Sequence, residues 1–260
     1  MSRTDGRIFL RPFSITNILA WSMLLLSTVL AILALPPWFL ICRLRGFRLV
    51  RAMREGAWLY GRFYMALLRP VLKIDFSRQG GPDGAAGLIV VNHQSWLDPY
   101  LLCRVEPRNF TILIRSWPFK RLFFFGPFMR LAEYIETEGA AAEEILAACR
   151  RELAAGASIV CFPEGTRSRD GSLGRFRSGI FKLAVELDVP VIPLVIRHSG
   201  LIMPKGSLIF RPGRIRMEMG PPIEPGRFVS EPIAHGALRR FVRRRFQKAL
   251  DSDTAGLRDS

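Results

Sequence analysis

The sequence predicts an α/β domain with a mostly parallel sheet flanked by helices, preceded by an N-terminal hydrophobic two-helix membrane element. Three observations carry that prediction. After residue 72, short apolar runs of strand length alternate with helical stretches, the pattern of a parallel sheet with helices on both faces. Pro12 to Cys42 contains no charged residue. The 260 residues are 49% apolar, enough for one good-sized core with roughly 60 residues left for a membrane or interaction segment. The chain divides accordingly into a membrane-associated helical element over 1–72, an α/β domain over 73–235, and a basic amphipathic helix and tail over 236–260.

Within the charge-free stretch, Ile15 to Leu35 is long enough to cross a bilayer core, which takes about 20 helical residues. Pro36-Pro37 is expected to stop or sharply bend that helix. Arg3, Arg7 and Arg11 precede the stretch; Arg43, Arg45, Arg48 and Arg51 follow it. The denser side should face the cytoplasm, placing the rest of the chain there, at an inner or cytoplasmic membrane. The length of the run and the want of an Ala-x-Ala site speak against a signal peptide. A buried soluble helix is the plainer alternative. Glu55–Leu72 is a second candidate helix, and its Trp58, Tyr60, Phe63 and Tyr64 favour the water–lipid boundary. A hairpin in the membrane and a single span are both compatible with these two segments.

Leu88–Val91, Phe110–Ile114, Ser158–Phe162 and Val189–Ile196 read as buried strands. Ala141–Ala155, closed by Gly156, and Ser178–Leu187 read as helices. Ala237–Leu250 is a basic amphipathic helix with Leu238, Phe241, Val242, Phe246 and Ala249 on one stripe. It serves either as a docking helix with a solvated basic face or as a contact for anionic lipid head groups.

The formal net charge of +16 favours anionic partners: nucleic acid, an anionic bilayer or acidic substrates. No RRM-like aromatic signature, zinc finger or helix-turn-helix accompanies that charge, so no nucleic acid is expected. Cys42, Cys103, Cys149 and Cys161 lack paired spacing and read as small buried hydrophobes in a reducing compartment. The three histidines are scattered without a second ligand at metal spacing, so no metal is expected.

Two short segments carry chemistry. Asn92-His93-Gln94-Ser95-Trp96-Leu97-Asp98 follows the strand Leu88–Val91, where ligands bind in open α/β sheets. Histidine is the side chain best suited to take a proton near neutral pH, and an aspartate on its other ring nitrogen would fix the tautomer. The five-residue separation of His93 and Asp98 suits a tight turn, which Pro99 supports. Asp98 also reads as a helix N-cap with Pro99 at the first helical position. His198 and His235 read as structural. Phe162-Pro163-Glu164-Gly165-Thr166-Arg167-Ser168 follows the strand Ser158–Phe162, and if the two strands are parallel both loops open on one sheet edge. Arg167 can grip a phosphate, Gly165 lets backbone approach a ligand, and Glu164 can pair with Arg167 or accept a substrate hydroxyl. Taken alone, this piece reads better as a surface loop with a local ion pair.

Taken in order, His-x-x-x-x-Asp at 93–98 and Phe-Pro-Glu-Gly-Thr-Arg-Ser at 162–168 resemble the glycerolipid acyltransferases, and above all the 1-acylglycerol-3-phosphate acyltransferases. The resemblance covers roughly residues 70 to 225, with Val189-Pro190-Val191-Ile192-Pro193 similar to the family's fourth block. It implies a general base, His93, oriented by Asp98, that activates an acceptor hydroxyl for attack on an acyl thioester without a covalent acyl-enzyme. It also implies that Glu164, Gly165, Thr166 and Arg167 position the acceptor's glycerol phosphate. The donor would be acyl-coenzyme A or acyl carrier protein, with no cofactor beyond that co-substrate, and the default product phosphatidate. The family's second block usually carries an arginine; here Leu131 to Thr137 offers Glu136 and Thr137 instead, with Arg115 or Arg130 as possible substitutes. A different lyso-lipid acceptor, such as a lyso-aminolipid or a specialised lipid, is therefore the alternative within the same chemistry, and a non-enzymatic membrane-surface or nucleic-acid-binding protein is the remote one.

Overall fold

Leu88, Ile89, Val90 and Val91 are all buried, as a strand covered on both faces must be. In the computed structural model, which describes residues 15–69, 72–78, 86–106, 108–121 and 125–256, this strand (β2) lies at the centre of a seven-stranded sheet. The other strands are β1 (Leu72–Arg78), β3 (Phe110–Ile114), β4 (Ile135–Glu136), β5 (Ser158–Cys161), β6 (Val191–Arg197) and β7 (Gly213–Met219), in the order β1-β7-β6-β2-β5-β3-β4. β6, β2, β5, β3 and β4 run parallel, so the sheet is mostly parallel as expected. β7 pairs antiparallel with β6, and β1 runs parallel to β7. The alternating charges of Arg214, Arg216 and Glu218 suit a strand covered on one face only.

Alternation along β2 splits the core in two. Ile89 and Val91 pack with Trp58, Tyr64, Met65 and Leu68 on one face. Leu88 and Val90 pack with Phe181, Leu238, Val242 and Phe246 on the other. The first face is covered by α1 (Ile15–Leu44) and α2 (Leu49–Leu67); the second by α6 (Ala142–Ala154), α7 (Ser178–Leu187) and α9 (Ala234–Gly256). Shorter helices α3 (Asp98–Leu101), α4 (Ser116–Arg121), α5 (Phe125–Leu131) and α8 (Ser199–Ile202) fill the loops. Gly156, at φ +73°, follows α6 as the expected stop.

Two expectations need correction. α1 does not end at Pro36-Pro37 but runs through both prolines to Leu44. The lost backbone bonds are offset by docking: Trp38 Nε1 donates to Ala52 O of α2 at 2.9 Å, and Cys42 is buried. The second helix begins at Leu49 rather than Glu55, ends at Leu67, and does not form a second apolar membrane segment. Its Trp58 and Tyr64 point into the core, with Trp58 Nε1 bonded to Val105 O. Only α1 carries a long exposed apolar surface, and among the described residues it is the one helix long and apolar enough to cross a membrane. The apolar stripe of α9 is likewise spent on the core, since Leu238, Val242 and Phe246 are fully buried. Insertion into an interface needs that stripe free, so α9 docks on the core through it. Arg3, Arg7 and Arg11 lie outside the described residues.

Candidate active site

Because β2 and β5 are parallel neighbours, the loops that leave their carboxyl ends meet on one sheet edge. The first loop is held at several points. Asn92 exchanges both amide bonds with Ile196, at 2.8 and 2.7 Å, which ties the loop to β6. Ser95 Oγ donates to Met203 O at 2.9 Å, and Gln94 Nε2 to Gly171 O at 3.0 Å. His93 and Asp98 are brought together in this frame: His93 Nδ1 lies 2.7 Å from Asp98 Oδ2.

Asp98 is 0% exposed, and its Oδ2 also accepts from Gln94 N at 2.7 Å and Ser95 N at 2.8 Å. It is therefore not the N-cap of α3. That place belongs to Leu97, while Asp98 starts the helix and its carboxylate reaches back into the turn. Backbone N–H groups can only donate, so Oδ2 is the acceptor throughout, and His93 Nδ1 carries its proton. The unprotonated nitrogen is then Nε2, on a ring that lines the cavity and rests against Phe162 at 4.3 Å between centroids.

The second loop is built against the first. Glu164, 8% exposed, accepts from His93 N on Oε1 at 2.9 Å and from Gly174 N on Oε2 at 2.8 Å. Both oxygens are committed to backbone, not to Arg167, so Glu164 acts as a brace between the loops. Ser168 N adds a bond to His93 O at 2.8 Å. Burial raises the Glu164 carboxyl above its ordinary value, and the two N–H bonds oppose that shift. Gly165 sits at φ +68°, a backbone conformation that strains any residue with a Cβ, so the turn favours glycine.

Arg167 lies over the Trp96 ring at 5.1 Å, and its buried Nη1 has no hydrogen-bond partner among the described residues. Burial pulls the guanidinium below its ordinary value, and the charge of Asp98 works the other way. Thr166 Oγ1 accepts from Lys205 Nζ at 2.8 Å, and the same ammonium donates to Arg167 O at 2.9 Å. Lys205 belongs to no motif, and nothing in the sequence marks it; its place here is a tertiary fact. Arg115, one of the two substitutes for the missing second-block arginine, lines the cavity but is paired with Glu138. Arg130 is exposed and is not among the lining residues. Thr137 Oγ1 donates to Ile114 O.

His93, Thr166, Arg167 and Lys205 line a cavity of about 960 Å³. Its walls continue between α1 and α2, past Thr28, Ile32, Tyr60 and Tyr100, and are mainly apolar. Cys103 and Cys161 also line it, but burial pushes the Cys103 thiol up to about 11 and the Cys161 thiol further. Neither is a ready nucleophile, because the thiolate is the reactive form. The site thus combines one histidine base, two cations without a carboxylate partner among the described residues, and a long apolar wall.

Residues 74–197 match the family model described as Acyltransferase. A chloroplastic 1-acyl-sn-glycerol-3-phosphate acyltransferase of Brassica napus is 34% identical over 143 residues, 52% of this chain and 40% of that protein. A 1-acyl-sn-glycerol-3-phosphate acyltransferase of Cocos nucifera is 28% identical over 188 residues, 70% of this chain and 60% of its own length. The chain therefore spans about half the length of these relatives. The crystal structure of the 1-acyl-sn-glycerophosphate acyltransferase PlsC of Thermotoga maritima shares the fold, with a TM-score of 0.71 over 91% of this chain and 96% of that one, at 22% identity.

Proposed function

We propose that this chain, which matches the family model described as Acyltransferase over residues 74–197, moves a fatty acyl group from a thioester to the free hydroxyl of 1-acyl-sn-glycerol-3-phosphate. The observation that carries the reading is the His93–Asp98 pair opening on an apolar-walled cavity beside Arg167, whose buried Nη1 has no hydrogen-bond partner among the described residues. Nε2 of His93 takes the proton of the acceptor hydroxyl as its oxygen attacks the thioester carbonyl. Asp98 holds the ring and stabilises the imidazolium that forms. The carbon–sulfur bond then breaks, and the proton on Nε2 is available to the departing thiolate. Acyl-coenzyme A or acyl carrier protein supplies the thioester, with no metal or further cofactor. The names of the relatives, all acyltransferases acting on 1-acyl-sn-glycerol-3-phosphate, favour that acceptor.

Charge pairing favours one site for the acceptor phosphate. Arg115 is neutralised by Glu138, whereas Arg167 has no carboxylate partner among the described residues. Arg167 is therefore the phosphate ligand, and Thr166 and Gly165 shape its approach; Glu164 contributes by bracing the two loops. Replacing Arg167 with Ala should raise KM for lysophosphatidate roughly ten- to hundred-fold, the value of a hydrogen bond to a charged group. KM for the acyl donor should stay within about two-fold. Equal losses for donor and acceptor in steady-state assays would remove Arg167 from that role.

Membrane lipids supply the acceptor, and α1 fits insertion in the plane of the interface rather than across it. Asn17 and Trp21 tie its start to the 208–210 segment, and Trp38 ties its end to α2, which carries Arg51, Glu55 and Arg62. A spanning α1 would drag those charges through hydrocarbon. The basic residues that follow α1 favour the cytoplasmic side of an inner membrane. Deleting 1–72 would strip one face of the core, so the informative change is on the surface. Leu26 and Leu33 are 58% and 67% exposed. Replacing both with Glu should move the protein from vesicles to the soluble fraction in a flotation assay without changing its melting temperature; retained flotation would shift the anchor elsewhere.

A further inference from the structure

The segment between α8 and β7 touches three parts of the molecule at once. At its start, Met203 O accepts from Ser95 Oγ of the histidine loop, at 2.9 Å. In its middle, Lys205 Nζ bonds Thr166 Oγ1 and Arg167 O of the second loop. At its end, Leu208 O accepts from Trp21 Nε1 of α1 at 2.9 Å, and Phe210 O accepts from Asn17 Nδ2 at 3.1 Å. Phe210 N returns a bond to Asn17 Oδ1, and both residues are buried. Leu208 and Ile209 stand exposed along the same segment, next to the Trp21 contact with α1.

An ammonium has three donors. Two of those on Lys205 go to neutral acceptors, and no carboxylate among the described residues pairs with it. Its charge is therefore uncompensated, one donor is unassigned, and the side chain lines the cavity that contains His93 and Arg167. Two neutral hydrogen bonds at a part-exposed position would be served as well by an uncharged donor. A cation held there has a use only if an anion arrives.

Taking the acyl-transfer reading as its premise, we propose that Lys205 is a second ligand for the acceptor's phosphate, alongside Arg167. The 203–210 segment fixes that ammonium relative to α1. A lipid phosphate sits at head-group depth, just above the apolar layer. A cation tied to the interfacial helix through Trp21 and Asn17 is held at that depth, so the acceptor is bound without leaving the membrane surface.

The test uses the full chain with lysophosphatidate presented in mixed micelles. Lys205→Met should raise KM for lysophosphatidate roughly ten- to hundred-fold, with kcat and donor KM within about two-fold, and Lys205→Arg should restore most of the loss. An unchanged acceptor KM, or a parallel loss in kcat and in donor KM that Arg does not rescue, would overturn the assignment. Lysophosphatidate binding by calorimetry, compared between His93→Ala and His93→Ala/Lys205→Met, separates this proposal from its premise. Weaker binding in the double variant supports Lys205 even if the wild type transfers no acyl group, in which case the acyl-transfer reading fails alone. Equal binding would sink Lys205 alone.

Discussion

Replacing His93 with Ala is expected to lower kcat for acyl transfer by roughly 10²–10⁴-fold, the contribution of a positioned general base. No neighbour can take over. Glu164, the nearest carboxylate besides Asp98, has both oxygens on backbone N–H groups. Asp98 is fully buried and turned toward the loop interior, and burial disfavours the reactive thiolate of Cys103 and Cys161. The fold should survive the change. The ring is partly exposed, and without it Asp98 Oδ2 still accepts from Gln94 N and Ser95 N. The neighbouring backbone bond of Ser168 N to His93 O does not involve the side chain. Product formation and the thermal melt should therefore part company, with activity lost and melting temperature held within a few degrees. Activity within ten-fold of wild type would end the general-base assignment.

Legibility in the sequence followed physical pattern. The two active-site loops were readable because each follows a continuous apolar run, which is what a strand buried on both faces demands. The parallel pairing of β2 and β5 then made their juxtaposition a matter of topology. β1 and β7 were not readable as apolar runs: Leu72–Arg78 and Gly213–Met219 alternate polar and apolar residues, the mark of strands on the less covered side of the sheet. β4, at two residues, is too short to carry a pattern. The prolines of α1 misled because a proline's cost is local, whereas the bonds that offset it come from α2, through Trp38 and Ala52. Trp58 and Tyr64 read as boundary aromatics because composition does not say which side of a helix faces the core. Within the site, Glu164 was visible as a motif residue, but its work as a brace depends on Gly174 and His93 lying within reach of one carboxylate. Lys205 was invisible because its partners are 38 and 39 residues away, set by the fold and by no spacing rule.

Asp98→Asn should cost less than loss of His93, and the reason lies in the backbone. In the Ser-His-Asp triad an amide in the place of the carboxylate leaves the wrong tautomer, at a cost of about 10⁴ in kcat. Here Gln94 N and Ser95 N point at Oδ2 at 2.7 and 2.8 Å. Turning an NH₂ toward them would set three donors against a donor, so the amide oxygen must take the Oδ2 place. The NH₂ then occupies the position of Oδ1, which is buried and has no partner. The tautomer of His93 and the shape of the turn are kept, and what disappears is the negative charge opposite the imidazolium. That charge-assisted bond is worth about 1.5–3 kcal/mol, so kcat should fall roughly ten- to hundred-fold. Asp98→Ala removes the acceptor altogether, leaves two buried N–H groups unmet and should approach the His93→Ala rate while also lowering the melting temperature. Steady-state rates and melts of the Asn and Ala variants side by side decide the matter. If the two fall equally in both measurements, the backbone pins do not hold the amide, and Asp98 acts through the tautomer rather than through its charge.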